Sequence, residues 1–124
     1  MTTYEMERAE REIRSIGRSE DRTYVFVFTG QLESSDTLSA ISGNDPNGVA
    51  LGVTDAAGVL TIGTPAINSG GSITVDGQTV ATSKAVTCSV RATNATVGTV
   101  YTVTCRARAT SGQTLEVVGL LRCE

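Results

Sequence analysis

The spacing of apolar residues along the chain changes near residue 20. Before that point apolar side chains recur in steps of three and four, which places them on one face of a helix; they are Met6, Ala9, Ile13 and Ile16. After it, apolar and polar residues alternate or form short apolar runs bounded by turn residues, as β-strands do. The pattern predicts a short N-terminal amphipathic helical arm over residues 1–20 and an all-β domain over residues 21–124.

The predicted helix has start and stop signals but is short. Thr2 and Glu5 have the spacing of a capping box, and Gly17 stands where the left-handed residue after a helix is wanted. An isolated helix of about fifteen residues is marginally stable in water, so its apolar face must pack on something. Two interpretations stay open: the face packs back on its own domain, or it docks on a neighbouring subunit.

Within the β domain, strands are predicted from three kinds of pattern. Tyr24–Phe28 is a continuous run of β-branched and aromatic residues, typical of a strand that is covered on both faces. Asp76-Gly77 between two apolar segments predicts a hairpin turn. The clearest alternation falls in the last third of the chain, in segments 86–90, 101–107 and 115–121, with the polar residues facing outward.

The number of strands and turns predicts the architecture. Seven or so short strands separated by turns are typical of a β-sandwich of the immunoglobulin-like or fibronectin-III-like type. Tyr101 opens the penultimate strand in the predicted order. In such sandwiches a tyrosine at this place commonly folds its hydroxyl back onto the preceding turn. We therefore expect a hydrogen bond between the Tyr101 hydroxyl and the loop before it.

Composition and charge add limits to this picture. The chain has 124 residues, the usual length of one domain. Aromatic residues make up 4% and Trp is absent, so the core must consist mainly of Val, Ile, Leu and Ala. The net charge of −3, without a cluster of basic residues, disfavours nucleic-acid binding. Because no apolar run could span a bilayer and no secretory signal is recognisable, we expect a soluble protein made in the cytosol, without a membrane partner.

The sequence offers little material for catalysis. The chain has no His, the commonest general base, and its three cysteines lack CxxC spacing, so we expect them to act as small hydrophobic residues. Asp45, Asp55 and Asp76 each stand in turn-like sequence, where Asp is favoured for local hydrogen bonds. Asn44, Asp45 and Asn47 could offer oxygen atoms to Ca²⁺, but the EF-hand pattern is absent. We expect no enzyme activity, no metal and no cofactor.

Four segments follow one another along the chain: Asp21–Phe28, the polar stretch Leu32–Leu38, Gly98–Tyr101 and Ala109–Leu115. In the order of these segments the chain resembles small structural proteins of tailed bacteriophages, of the fibre or decoration type. The resemblance covers roughly residues 20–122. Related chains often carry a Trp and a Gly-Gly pair directly before the tyrosine strand; this chain has no Trp and no Gly-Gly pair at that place. The resemblance implies a component of the virus particle.

This resemblance leads to a functional expectation. The resemblance itself does not say where on the particle the protein sits. A compact sandwich, a detachable amphipathic arm and the lack of an active site favour a virion protein, assembled in the bacterial host cytoplasm, that decorates or cements the capsid by binding the major capsid protein and forms a homo-oligomer on the shell. The expected docking residues, in the arm and in the exposed loop 44–48, are Met6, Ala9, Ile13, Ile16, Asn44, Asp45 and Asn47. The alternative is a tail or neck component, such as a fibre, an adaptor or a host-surface adhesion module. A sugar-binding module ranks behind both, because sugar sites usually offer exposed aromatic rings and the chain has only three Tyr and two Phe.

Overall fold

The computed structural model of the chain describes residues 3–5 and 13–124. Within these residues the chain forms twelve β-strands and no helix, which confirms the all-β prediction. The strands are β1 (Thr3–Glu5), β2 (Ile13–Ile16), β3 (Asp21–Val27), β4 (Leu38–Ala40), β5 (Gly52–Asp55), β6 (Thr61–Ile62), β7 (Ala66–Ile67), β8 (Ile73–Val75), β9 (Gln78–Val80), β10 (Ala85–Arg91), β11 (Val100–Ala109) and β12 (Thr114–Cys123).

Two five-stranded sheets contain all of these strands except β8 and β9. The first sheet has the order β1, β3, β10, β6, and β7 also pairs with β10. The second has the order β2, β12, β11, β4, and β5 also pairs with β11. Neighbouring strands are antiparallel, except that β1 runs parallel to β3 and β2 runs parallel to β12. The two sheets pack face to face as a β-sandwich, with the main core between them.

The alternation that was read from the sequence places apolar side chains in this core. Every second residue of β11 is buried, from Tyr101 to Ala109. Tyr24 and Phe26 of β3 reach the same core from the opposite sheet. At the start of β11, the Thr96 N–H in the preceding loop donates a hydrogen bond of 2.8 Å to the Tyr101 hydroxyl oxygen, which confirms the contact predicted for this tyrosine.

The β8–β9 hairpin covers the outer face of the first sheet. Asp76 and Gly77 have positive φ angles of 48° and 81°, as a two-residue hairpin turn requires, so the predicted hairpin is confirmed. Val75 and Val80 of the hairpin form a second apolar cluster with Val25 of β3. Val25 is therefore fully buried although it faces away from the main core. This confirms that β3 is covered on both faces.

The helical arm predicted over residues 1–20 is wrong where the structure describes it, because Thr3–Glu5 and Ile13–Ile16 are strands. β2 pairs with the end of β12, and Ile16 is fully buried in the main core. The Tyr24 hydroxyl donates a hydrogen bond of 2.8 Å to the Ser15 carbonyl oxygen, which ties β2 to β3 across the sandwich. Pairing and burial in the folded domain outweigh the weak stability of a short helix.

Candidate functional site

Two polar segments that are far apart in the sequence meet at one end of the sandwich. Residues 28–37 connect β3 to β4, and the turn 110–113 connects β11 to β12. The Thr110 N–H donates a hydrogen bond of 2.7 Å to the Thr37 carbonyl oxygen, and the two threonine hydroxyls are 3.0 Å apart. These segments contain most of the polar stretches 32–38 and 109–115 that stand out in the sequence.

Asp36 joins the two segments through its carboxylate. The carboxylate accepts hydrogen bonds from the Ser111 hydroxyl (2.6 Å), the Thr37 N–H (2.9 Å) and the Ser111 N–H (3.2 Å). The Ser111 hydroxyl is the main cause that holds the pKa of Asp36 below its usual value, and the two N–H groups and the Lys84 ammonium add to it. Asp36 is therefore charged at neutral pH, and its acceptor atoms hold the two segments together.

Asp45 performs a similar task for the loop 41–51, which lies between β4 and β5. This buried carboxylate accepts hydrogen bonds from the Thr114 hydroxyl of β12 and from the N–H groups of Val49 (2.8 Å) and Asn47 (2.9 Å). The same three bonds, with the Thr114 hydroxyl first, hold the pKa of Asp45 below its usual value. The loop is thereby fastened to the outer face of the second sheet, beside the turn 110–113.

The predicted docking residues of this loop have different surroundings. Asn44 and Asn47 are exposed, as expected for an exposed loop. Asp45 is 6% exposed and serves as the anchor beneath them, so a direct contact of its carboxylate with a partner is blocked in this fold. The local sequence does not predict the burial of Asp45, because that burial depends on Thr114, which is 69 residues away in the chain.

Of the predicted docking residues of the arm, the two that the structure describes, Ile13 and Ile16, are not brought together with the loop. Ile16 is fully buried in the main core, so it is unavailable to a partner in this fold. Ile13 is the first residue of β2 and pairs with Leu120 of β12. Met6 and Ala9 lie outside the described residues. Two interpretations of the apolar face of the arm were open. For Ile16, the side chain packs on its own domain.

A groove opens between the two polar segments at the end of the sandwich. It has a volume of about 380 Å³ and is lined by Glu33, Ser35, Asp36, Thr110, Ser111 and Gln113, a set that we call the polar groove. None of these residues was predicted as a site residue. The polarity of both stretches was visible in the sequence, but their proximity depends on the order of the strands.

The three cysteines lie in the interior, as expected for small hydrophobic residues. All three are free and buried. Burial raises the pKa of Cys88 to about 11 and also raises the pKa of Cys105, so both thiols are protonated and unreactive at neutral pH. Among the described residues, no group of three or more His, Cys, Asp or Glu side chains is placed to hold a metal ion.

Comparisons of the chain with protein-family models, curated proteins and solved structures find no match. In the part of the chain that the structure describes, no helix is long and apolar enough to cross a membrane. The functional inference therefore depends on the geometry of the loop 41–51 and of the polar groove.

Proposed function

We propose that the chain is a non-enzymatic structural protein of a tailed-phage particle, with an immunoglobulin-like sandwich, and that it decorates the capsid by binding the major capsid protein. The observation that carries this proposal is the rigid loop: Asp45 fastens it to the second sheet while Asn44 and Asn47 stay exposed. A surface that is ordered before binding loses less conformational entropy when the partner docks. Homo-oligomers on a symmetric shell would repeat the same contact.

The strand order supports the immunoglobulin-like part of the proposal. Under this proposal β3, β10 and the short strands β6 and β7 would correspond to strands B, E and D of that fold, and β4 with β5, β11 and β12 would correspond to strands C, F and G. The hydrogen bond at Tyr101 is of the kind that such sandwiches form at the start of strand F. β1 departs from the scheme, because it runs parallel to β3.

The test is binding of the purified full chain to capsid shells that lack it. We expect the double variant Asn44→Ala, Asn47→Ala to bind at least about tenfold more weakly than the unchanged chain, because both exposed amides belong to the proposed contact. Asn94→Ala is the matched control, since Asn94 is exposed in the loop that precedes β11, at the opposite end of the sandwich. Urea unfolding of each variant checks that the fold is intact.

Two results would overturn the proposal. One is failure of the unchanged chain to bind shells of the phage that encodes it. The other is equal binding of the double variant and the Asn94→Ala control, which would place the contact elsewhere on the sandwich.

A second placement, in the tail or neck as a host-surface adhesion module, is favoured by the polar groove. The groove lies between loops at one end of the sandwich and opens to solvent. Loops held by a rigid scaffold are where binding residues concentrate in many proteins. The two placements differ in copy number, since a shell protein is present in hundreds of copies and a tail component in few.

A further inference from the structure

We infer that the polar groove binds a neutral ligand with several adjacent hydroxyl groups, a saccharide. This goes beyond the proposed role on the particle and holds for either placement. It depends on three features: walls that are already ordered, polar groups that are still free to bind, and a lining that disfavours other classes of ligand.

The walls of the groove are ordered by bonds within the protein. Asp36 and Ser111 are joined by two hydrogen bonds, and Thr37 and Thr110 by a backbone hydrogen bond and a contact between hydroxyls. The Lys84 ammonium donates a hydrogen bond of 2.9 Å to the Ser34 carbonyl oxygen, which fixes the segment from outside the groove. A ligand therefore meets a preformed site and does not have to order two loops.

Three side chains of the lining remain available. Within the described residues, the side chains of Glu33, Ser35 and Gln113 hold no hydrogen bond or ion pair, and all three are exposed. The Glu33 carboxylate can only accept hydrogen bonds, whereas the Ser35 hydroxyl and the Gln113 amide can both donate and accept them. A sugar hydroxyl also donates and accepts, so adjacent hydroxyls on one ring match this combination of groups.

The lining argues against other small ligands. Two carboxylates, Glu33 and Asp36, repel an anionic ligand, and no apolar side chain lines the groove for an apolar one. Asp36 is poorly placed to coordinate a metal cation, because its oxygen atoms already accept three hydrogen bonds and Lys84 is near. The charge of Glu33 would attract a basic ligand, which the test below distinguishes from a sugar. No aromatic ring lines the groove, so binding relies on hydrogen bonds and is weak at one site. Many copies on one particle would raise the overall affinity.

The test is an NMR titration of the full ¹⁵N-labelled chain with the methyl glycosides of glucose, galactose and mannose and with N-acetylglucosamine. We expect at least one of these sugars to shift the backbone signals of residues 33–36 and 110–113. Glu33→Gln and Gln113→Ala should each weaken that binding by roughly tenfold, because the first replaces a charged acceptor oxygen by an N–H donor and the second removes the amide that bonds to the ligand. Glu116→Gln is the matched control, an exposed carboxylate on β12 outside the groove.

The inference is overturned if none of the four sugars shifts the groove signals, or if the shifts fall elsewhere. It is also overturned if Glu33→Gln and Gln113→Ala bind like Glu116→Gln. Acetyl-arginine amide serves as a further probe. If it shifts the backbone signals of the groove while the sugars do not, the groove is a site for a basic peptide. The titration uses no virus particle, so its failure leaves the shell-binding proposal standing, and the reverse also holds.

Discussion

At the scale of single residues, Asn68 holds more backbone groups through its side chain than any other residue in the part of the chain that the structure describes. Its side-chain oxygen accepts hydrogen bonds from the N–H groups of Lys84 and Ala85, each at 3.0 Å. Its side-chain nitrogen donates to the carbonyl oxygens of Ala81 (2.9 Å) and Gly71 (3.3 Å). Asn68 is only 9% exposed, so water cannot easily replace these partners. The side chain thus holds both ends of the segment that carries the β8–β9 hairpin.

Replacing this side chain should strongly destabilise the fold. We expect Asn68→Ala to lower the free energy of unfolding by about 3 kcal/mol, because it leaves several backbone groups without partners in a poorly hydrated place. Urea unfolding measures the effect. Asn94→Ala, at an exposed asparagine, should change the free energy by no more than about 0.5 kcal/mol. Equal effects of the two substitutions would contradict this role for Asn68.

Single residues also show what local sequence could predict. The Tyr101 hydrogen bond was predictable because it spans five residues and follows from the position of a tyrosine at a strand start. The Asp76-Gly77 turn was predictable because both residues tolerate a positive φ. The burial of Asp45 was not predictable, because its partner Thr114 is distant in the sequence. Short-range chemistry is visible in a sequence, whereas partners supplied by folding are not.

At the scale of elements, the attachment of the loop 41–51 makes stability depend on pH. Hydrogen bonds in the folded state lower the pKa of Asp45. Their stabilisation is therefore complete above the pKa of the unfolded carboxyl, about 3.9, and is lost as the pH falls through the folded value. Asn at this position cannot be deprotonated, so its contribution does not change over that range.

We therefore expect Asp45→Asn to be less stable than the unchanged chain at neutral pH, with the difference shrinking at about pH 3. Urea unfolding at the two pH values measures the difference. Asp21→Asn is the matched control, because among the described residues the Asp21 carboxylate forms only an exposed ion pair of 3.1 Å with Arg91, a kind of pair that contributes little. A difference for Asp45→Asn that stays the same at both pH values would contradict the assignment.

The N-terminal element shows why periodicity alone can mislead. Ile13 and Ile16 have a spacing that fits a helix, yet Ile13–Ile16 is a strand. The end of β12 offers backbone partners there, and the core offers a buried place for Ile16. The helical preference of a four-residue segment is too weak to outweigh this strand pairing and burial. Pairing with β12 makes this segment a strand, and the local sequence pattern does not predict that pairing.

At the scale of the whole molecule, one lateral edge of each sheet, formed by β6 and β7 in the first sheet and by β4 and β5 in the second, is poorly suited to pairing with another chain. β6 and β7 have two residues each, and Pro65, which has no N–H to donate, lies between them. On the second sheet, the loop 41–51 interrupts the edge formed by β4 and β5. Short and interrupted edge strands hinder association through backbone hydrogen bonds. At these two edges, contacts with a partner are therefore more easily made through side chains of loops, as the proposal requires.

The general architecture could be predicted from the sequence, and the candidate site could not. Alternation in β11 and β12 predicted two-faced strands, and two apolar faces must pack together. The polar groove needs Asp36 beside Ser111, 75 residues further along the chain. That proximity follows from β4 pairing with the end of β11, which composition and spacing do not reveal.

The measurement that tests the central proposal most directly is quantitative mass spectrometry of purified particles of the phage that, under this proposal, encodes the chain. It counts this chain against the major capsid protein. Decoration of the shell requires a molar ratio of about one to one, or a simple fraction of it set by the symmetry. A handful of copies per particle would contradict the claim and favour the tail or neck. Absence of the chain from the particles would contradict both placements.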